Sequence, residues 1–98
     1  AETADIRYWR DKQGHEVDFV IARRGAAPVA IECKWSAKGF DPCNLRIFRR
    51  HYPKGETFLV AHDVDRPSVR TIDEFRLTIV GVHDLTAALL RGTRRGES

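Results

Sequence analysis

Two short segments, residues 16–23 and 29–34, alternate in polarity as β-strands do, and the stretch between them contains Gly25 and Pro28. The pattern predicts a β-hairpin. On its first strand the predicted apolar face consists of Val17, Phe19 and Ile21, and the opposite face of Glu16, Asp18 and Val20. Because a hairpin pairs its strands antiparallel, the fold has to contain a sheet with at least one antiparallel pair.

The other segments extend this hairpin into an α/β domain. Residues 62–74 have no clear period and are predicted to form a loop. The predicted order is βββ-α-β-β-α, with a mixed sheet of about five strands and flanking helices. The elements besides the hairpin are a strand at residues 6–9, an amphipathic helix that starts at Asp41-Pro42 and carries Leu45, Phe48 and Tyr52 on its apolar stripe, strands at residues 57–61 and 76–80, and a short helix after Gly81.

Length and composition favour one globular domain. The chain has 98 residues, of which 42% are hydrophobic and 32% charged, and this suits a single hydrophobic core. No apolar run approaches about 18 residues, the length of a membrane span, and the N-terminus lacks a secretion signal, so we expect a cytoplasmic protein without membrane contact. Cys33 and Cys43 have no metal-binding spacing, so neither a disulfide nor a zinc site is expected.

The domain is expected to occupy residues 1–90, followed by a basic flexible tail at residues 91–98. The net charge is +3, and the tail contributes +2 of it from three arginines and one glutamate, which leaves +1 for residues 1–90. A charge this small outside the tail is weak support for nucleic-acid binding. The chain contains no methionine and begins with Ala1-Glu2-Thr3, so we expect it to be a piece of a longer protein.

Three charged side chains of the predicted hairpin could meet on one side of the sheet. Asp18 lies opposite the apolar face of its strand, and Glu32 and Lys34 face away from Ile31 and Cys33 on the next strand. Hairpin pairing can bring these polar faces together. Because burying an unpaired charge is costly, the three groups need mutual pairing, a metal ion or water.

A hard cation such as Mg²⁺ (or Mn²⁺) prefers oxygen ligands and is commonly held by one or two carboxylates, a role that Asp18 and Glu32 could fill. A metal ion there could activate a water molecule and stabilise a phosphate in its transition state, with Lys34 orienting the water or neutralising charge. These residue types indicate phosphodiester hydrolysis. The same residues could instead form a salt-bridged polar face of a hairpin, without chemistry.

The motif resembles that of a known nuclease superfamily. Asp18 followed by Glu32-x-Lys34 on the next strand is similar to the PD-(D/E)XK signature of the restriction-endonuclease-like nucleases. More narrowly, the chain resembles the C-terminal domain of unknown function that follows the ATPase module of many bacterial and archaeal AAA-type ATPases. The segments that carry this likeness are Tyr8-Trp9-Arg10, Gly14-x-Glu16-Val17-Asp18-Phe19-Val20, Ile31-Glu32-Cys33-Lys34, Leu45-x-x-Phe48, Pro53 and the strand at residues 57–61.

The resemblance implies a restriction-endonuclease-like core and a fused N-terminal ATPase domain. It also implies that Asp18, Glu32 and Lys34 are catalytic, with Asp18 and Glu32 as ligands of Mg²⁺ or Mn²⁺. The superfamily usually has a helix before the first strand that can supply a further acidic residue, and only residues 1–5 of such an element are present here. The proline that often precedes the first aspartate is Val17 in this chain.

Further residues have two interpretations each. Glu16 could be a third metal ligand or an exposed residue at the start of its strand. Trp9 and Trp35 flank the motif strands and could stack on bases or pack in the core or in an interface. The predicted helix could contact nucleic-acid phosphates, or have a solvated face, through three arginines off its apolar stripe, Arg46, Arg49 and Arg50.

Three functions therefore stay open. The first is a Mg²⁺-dependent nuclease domain acting on DNA, which the intact triad favours. The second is a nuclease-like domain without turnover that serves an ATPase as a nucleic-acid or protein docking module, which the weak charge outside the tail favours. The third is a structural or oligomerisation domain, for which unpaired strand edges and exposed aromatic residues would be the sign.

Overall fold

A computed structural model of the chain describes the backbone of residues 4–97 and the side chains of residues 4–90. This part of the chain forms a mixed sheet of six strands with two helices, so the prediction of an α/β fold is confirmed. In chain order the elements are β1 (Asp5–Arg10), β2 (Glu16–Ala22), β3 (Val29–Lys34), α1 (Cys43–His51), β4 (Thr57–Ala61), β5 (Ser68–Ile72), β6 (Phe75–Val80) and α2 (Val82–Glu97).

The strands lie in the order β1-β2-β3-β4-β6-β5. β1, β2 and β3 pair antiparallel, as predicted, and Phe19 lies opposite Ile31 in the β2–β3 hairpin. β3 pairs parallel with β4, and β4 pairs parallel with β6. Because parallel neighbours cannot be joined by a tight turn, the chain between β3 and β4 forms a crossover that contains α1. The carboxyl ends of β3 and β4 therefore meet at one edge of the sheet.

Apolar side chains pack on both faces of the sheet, because successive residues of its central strands point to opposite sides. One core joins the sheet to α1 through Leu45 and Phe48 and includes Ala30 of β3. The other core joins the sheet to α2 through Ala88 and includes Ile31, the next residue of β3. All residues of β4 are buried, which confirms the prediction of a buried strand there.

Strand β5 corrects the predicted loop over residues 62–74 and raises the number of strands from about five to six. β5 lies at the edge of the sheet and is exposed except for Ile72. An exposed edge strand needs no apolar alternation, so its sequence carries little strand signal. The turn to β6 places Asp73 at a φ of 52°, without the Asn-Gly or Asp-Gly pair by which such hairpins are usually recognised.

Arg49 of α1 is only 5% exposed, although the sequence placed it on the outer face of the helix. Burial lowers the pKa of Arg49 to about 10, which leaves the guanidinium protonated at neutral pH. The prediction that Arg49 contacts nucleic acid is wrong, because its donors are used inside the fold. At distances of 2.6 to 3.1 Å the guanidinium donates hydrogen bonds to the hydroxyl of Thr57 and to the carbonyl oxygens of Pro28, Tyr52, Lys54 and Glu56.

The loop around this guanidinium depends on a glycine. Gly55 has a φ of 118°, a conformation that residues with a Cβ rarely adopt. A Cβ at this position would also collide with the carbonyl oxygen of Pro28 and lie 3.1 Å from Nη1 of Arg49. The chain between α1 and β4 can therefore close around Arg49 only because residue 55 has no side chain.

The ends of the helices differ in part from the predictions. Pro42 is the N-cap of α1 rather than its first helical residue, and the Asp41 carboxylate accepts a hydrogen bond from the Cys43 amide at 3.0 Å. α2 continues to Glu97, whereas the side chains of residues 91–98 lie outside the described residues, so a flexible tail there stays a prediction. Within residues 4–97, no helix combines the length and the apolar character that crossing a membrane requires.

Candidate active site

Strand β2 contains a β-bulge at Asp18. The register between β1 and β2 shifts between Arg7 and Trp9, where Asp18 and Phe19 of β2 together lie opposite a single residue of β1. A bulge adds one residue to a strand, bends it and changes the direction of the side chains next to it. The bulge therefore changes the direction of β2 near its start, at the predicted catalytic aspartate.

The bulge also changes which residues of β2 share a face. Val17 and Val20 both belong to the core beneath α1, although strict alternation would place them on opposite faces. Phe19 is 45% exposed, and Ile21 packs against the other core. The predicted apolar face of Val17, Phe19 and Ile21 is wrong, because the extra residue at the bulge inverts the alternation.

Asp18 and Glu32 are joined where the β2–β3 ladder ends. Beyond the pair of Phe19 and Ile31, the backbone amide of Asp18 donates a hydrogen bond to Oε1 of Glu32 at 2.8 Å. The backbone amide of Cys33 donates to Oδ2 of Asp18 at 2.9 Å. Each carboxylate thus binds the main chain of the strand opposite, and the two side chains lie next to each other as the strands separate.

Lys34 completes the group, since its Nζ lies 3.8 Å from Oε2 of Glu32. The structure therefore brings together Asp18, Glu32 and Lys34, the three residues predicted from the sequence to form the site. The Lys34 side chain is about half-exposed and the Glu32 side chain is buried. A cation at the rim and a carboxylate beneath it would allow a bound anion to reach the cation first.

Glu32 is an electrostatically unfavourable residue in this position. It is 2% exposed, and burial, together with the negative charge of Asp18, raises the pKa of its carboxyl group. The Asp18 amide and the Lys34 ammonium oppose this rise without cancelling it. A further positive charge next to the two carboxylates would remove the unfavourable interaction between them.

The two carboxylates fit a hard divalent cation. Oxygen ligands and an unbalanced negative charge are what Mg²⁺ and Mn²⁺ require, and one or two carboxylates are commonly sufficient because water fills the other positions. Within the described part of the chain, no three His, Cys, Asp or Glu residues form a group that could hold a metal ion, so Asp18 and Glu32 stand as a pair. The exposed carboxylate of Glu16 accepts a hydrogen bond from the Tyr8 hydroxyl at 2.7 Å, and a role of Glu16 as a ligand stays a prediction.

A cleft of about 370 Å³ opens beside the site. It lies between the end of β3, the loop that follows β3 and the start of α1, and its walls include Glu32, Lys34 and Lys38. The loop is held by Asp63, a residue that was not among the predicted site residues. Asp63, just after β4, accepts hydrogen bonds from the Ser36 hydroxyl at 2.6 Å and from the Ala37 amide at 2.9 Å.

The remaining candidate residues differ in their contacts and in their exposure to solvent. Arg46 is exposed and forms an ion pair of 3.3 Å with Asp73, and Arg50 is exposed, so a phosphate contact by either stays a prediction. Trp9 packs edge-on against Phe48, with ring centroids 5.3 Å apart, and belongs to the core beneath α1. Trp35, in contrast, is exposed at the end of β3.

Replacing Glu32 with glutamine is expected to raise the free energy of unfolding at neutral pH when divalent cations are absent. The raised pKa of Glu32 means that the folded state binds its proton more tightly than the unfolded chain, so stability falls as the pH rises through the folded pKa. The advantage of the variant should disappear below about pH 4, where the unfolded carboxyl is protonated too. Urea unfolding in EDTA at several pH values measures the difference in the free energy of unfolding between the variant and wild type. Glu16→Gln is the control at an exposed position. A variant less stable than wild type at pH 7 would show that Glu32 is stabilising as a carboxylate.

Comparison with known proteins bears on the family of the chain. A family model described as "Domain of unknown function (DUF4143)" matches residues 1–79. The matched part contains β1 to β5, most of β6, and Asp18, Glu32 and Lys34. Neither a curated protein nor a solved structure matches the chain significantly.

Proposed function

We propose that this chain, which belongs to the DUF4143 family of domains of unknown function, is a divalent-metal-dependent nuclease domain that hydrolyses phosphodiester bonds of DNA. In this proposal it has a PD-(D/E)XK core and follows the ATPase module of a cytoplasmic AAA-type ATPase. The observation that carries the proposal is the direct association of Asp18, Glu32 and Lys34 at the point where β2 and β3 separate.

The order of the core elements supports a restriction-endonuclease-like assignment. Three antiparallel strands lead into α1, and the chain then returns to β4, parallel to β3. The aspartate lies on the second strand and the Glu-x-Lys sequence on the third, which is the arrangement that the resemblance implies. The β5–β6 hairpin places one further strand at the edge of the sheet farthest from β1.

Asp18 and Glu32 are the residues that would hold the cation. When bound, a divalent cation lowers the pKa of a coordinated water and stabilises negative charge on a phosphate. The two carboxylates are positioned beforehand by the amide hydrogen bonds of Asp18 and Cys33. Their orientation therefore costs little conformational entropy when a cation binds.

Lys34 would act on the phosphate. Its half-exposed ammonium is oriented by Glu32 and can reach an anion in the cleft. A positive charge placed there counts most in the transition state, where negative charge on the phosphate increases. Lys38, which also lines the cleft, could bind the backbone of the same strand without taking part in the reaction.

A catalytically silent docking module is the second candidate. The observation that favours it is that both carboxylates already accept backbone hydrogen bonds, so the pair is partly stabilised without a cation. The net charge of +1 over residues 1–90 also gives little attraction for nucleic acid. Such a module would bind nucleic acid or protein for the ATPase and would cleave nothing.

Mg²⁺ or Mn²⁺ is expected to raise the melting temperature of the wild-type chain but not that of Asp18→Asn. A ligand that binds only the native state stabilises it by mass action, by about 2.7 kcal/mol at a free concentration of 100 times Kd. The asparagine keeps an oxygen that can accept the Cys33 hydrogen bond, so the change removes mainly charge. Glu16→Gln, on the same strand but outside the pair, should respond as wild type does. Equal shifts in wild type and Asp18→Asn would count against a metal site at Asp18.

A further inference from the structure

An exposed aromatic pair stands at the end of β3, directly after Lys34. Trp35 is 78% exposed, and its indole stacks on the imidazole of His62, with ring centroids 4.4 Å apart and planes within 12°. The His62 amide donates a hydrogen bond to the Trp35 carbonyl oxygen at 3.2 Å. One face of the indole is therefore supported by His62, and its high exposure leaves the other face open to solvent.

The surroundings of the pair hold it in place. Asp63, next to His62, accepts the hydrogen bonds of Ser36 and Ala37, the two residues that follow Trp35. These hydrogen bonds lower the pKa of Asp63, so its carboxylate is charged at neutral pH. Trp35 thus lies between the last residue of a strand and an anchored loop. A ring that is held in this way loses little conformational freedom when something stacks on it.

Basic and aromatic side chains alternate at this edge of the sheet. Lys34 and Lys38 line the cleft beside the end of β3, whereas Trp35, the first residue after β3, is exposed outside this lining. A nucleic-acid strand whose phosphate contacts Lys34 can pass over the end of β3 and bring a neighbouring base to Trp35. Cations for the backbone and an aromatic face for the bases are the two components of single-strand binding sites.

We propose that Trp35 and His62 form a stacking platform for an unpaired base of the DNA substrate. The inference rests on the proposed nuclease function and deepens it, because it names the form of the substrate. In a duplex both faces of a base are covered by its neighbours, so a flat platform outside the stack can accept only an unpaired base. The domain accordingly prefers single strands, flaps or frayed ends to an intact duplex.

The test uses tryptophan fluorescence. The chain has two tryptophans, so in Trp9→Phe the emission comes from Trp35 alone. In EDTA, where no strand is cut, a single-stranded oligonucleotide should quench this emission, whereas a strand of the same length with abasic sites should quench it much less. An intact duplex should bind more weakly than the single strand.

Affinities measured by anisotropy of labelled oligonucleotides complete the test. Trp35→Ala should weaken single-strand binding by about fivefold to a hundredfold, the range found when one base-stacking ring is removed. Trp35→Phe should restore most of the affinity, because it keeps an aromatic face. Binding of the abasic strand should be the same for Trp35→Ala and wild type.

The outcomes separate the platform from the nuclease. Equal single-strand affinity for Trp35→Ala and wild type, or no single-strand binding by wild type, would overturn the platform even if metal-dependent cleavage is found. Base-dependent quenching in Trp9→Phe together with weaker single-strand binding by Trp35→Ala would support the platform, and if the longer protein also cut no DNA when Mg²⁺ is added, the platform would stand without the nuclease.

Discussion

Replacing Arg49 with leucine is expected to lower the free energy of unfolding by about 3–5 kcal/mol, because several acceptors would lose the guanidinium and a buried acceptor left without a donor costs about 1–3 kcal/mol. The leucine side chain fills a volume similar to that of the apolar part of arginine but has no hydrogen-bond donor. The five oxygens that now accept hydrogen bonds from the guanidinium would lose this donor, and of them the Glu56 carbonyl oxygen would keep the hydrogen bond from the Ala30 amide. Urea or thermal unfolding measures the loss, and a domain of this size should melt well over 10 °C lower at about 4–8 °C per kcal/mol.

Arg50→Leu is the matched control, because Arg50 is the next residue of the same helix and is exposed. Its stability should stay within about 0.5 kcal/mol of wild type. Arg49→Lys keeps the charge but not the planar fork, and should therefore lose most of what the leucine variant loses. If Arg49→Leu unfolded at the same urea concentration as Arg50→Leu, the hydrogen bonds of Arg49 would not contribute to stability.

Lys34→Ala is expected to lower the rate of DNA cleavage by about a hundredfold or more, with little change in DNA affinity. The reason is that Lys34, in the proposed mechanism, interacts mainly with charge that develops in the transition state. Single-turnover cleavage gives the rate, and binding measured in EDTA gives the affinity. Lys34→Ala is therefore expected to change the cleavage rate without a matching change in DNA affinity.

Lys38→Ala is the control for this prediction, since Lys38 lines the same cleft and is exposed. It should weaken binding slightly, make its salt dependence shallower and leave the single-turnover rate nearly unchanged. If the domain only binds phosphates, Lys34→Ala should behave as Lys38→Ala does. Cleavage that is unaffected by Lys34→Ala would contradict the proposed mechanism.

The hairpin and the three charged residues could be predicted because their signals are local. The bounds of β3, residues 29–34, agree with the sequence pattern, and the apolar neighbours of Glu32 made a buried charge conspicuous. Opposite positions of an antiparallel pair lie on one face, so Asp18 and Glu32 had to be close if the pairing was right. The parallel strand β4 was also recognisable, because a strand buried on both faces is a continuous apolar run.

What the sequence did not predict depends on contacts between distant residues. The bulge at Asp18 is a property of the register between β1 and β2, which strict alternation along one strand does not reveal. Arg49 looked like a surface residue because four of its five partners are carbonyl oxygens of the main chain, which the polarity pattern of α1 does not show. Asp63 and Ser36 are 27 positions apart, and the available signal was an aspartate in the loop just after a buried parallel strand, where binding sites often occur.

The most direct test of the proposed function is a cleavage assay with Mg²⁺ or Mn²⁺ on single-stranded, duplex and branched DNA. It should use the 98-residue chain and, in parallel, the longer ATPase-containing protein in which we expect it to occur. Wild-type protein is predicted to cut DNA only when the metal is present, and Asp18→Asn is predicted to cut none. Cleavage that continues in EDTA, or intact DNA after incubation of the longer protein with every substrate, would contradict the proposal.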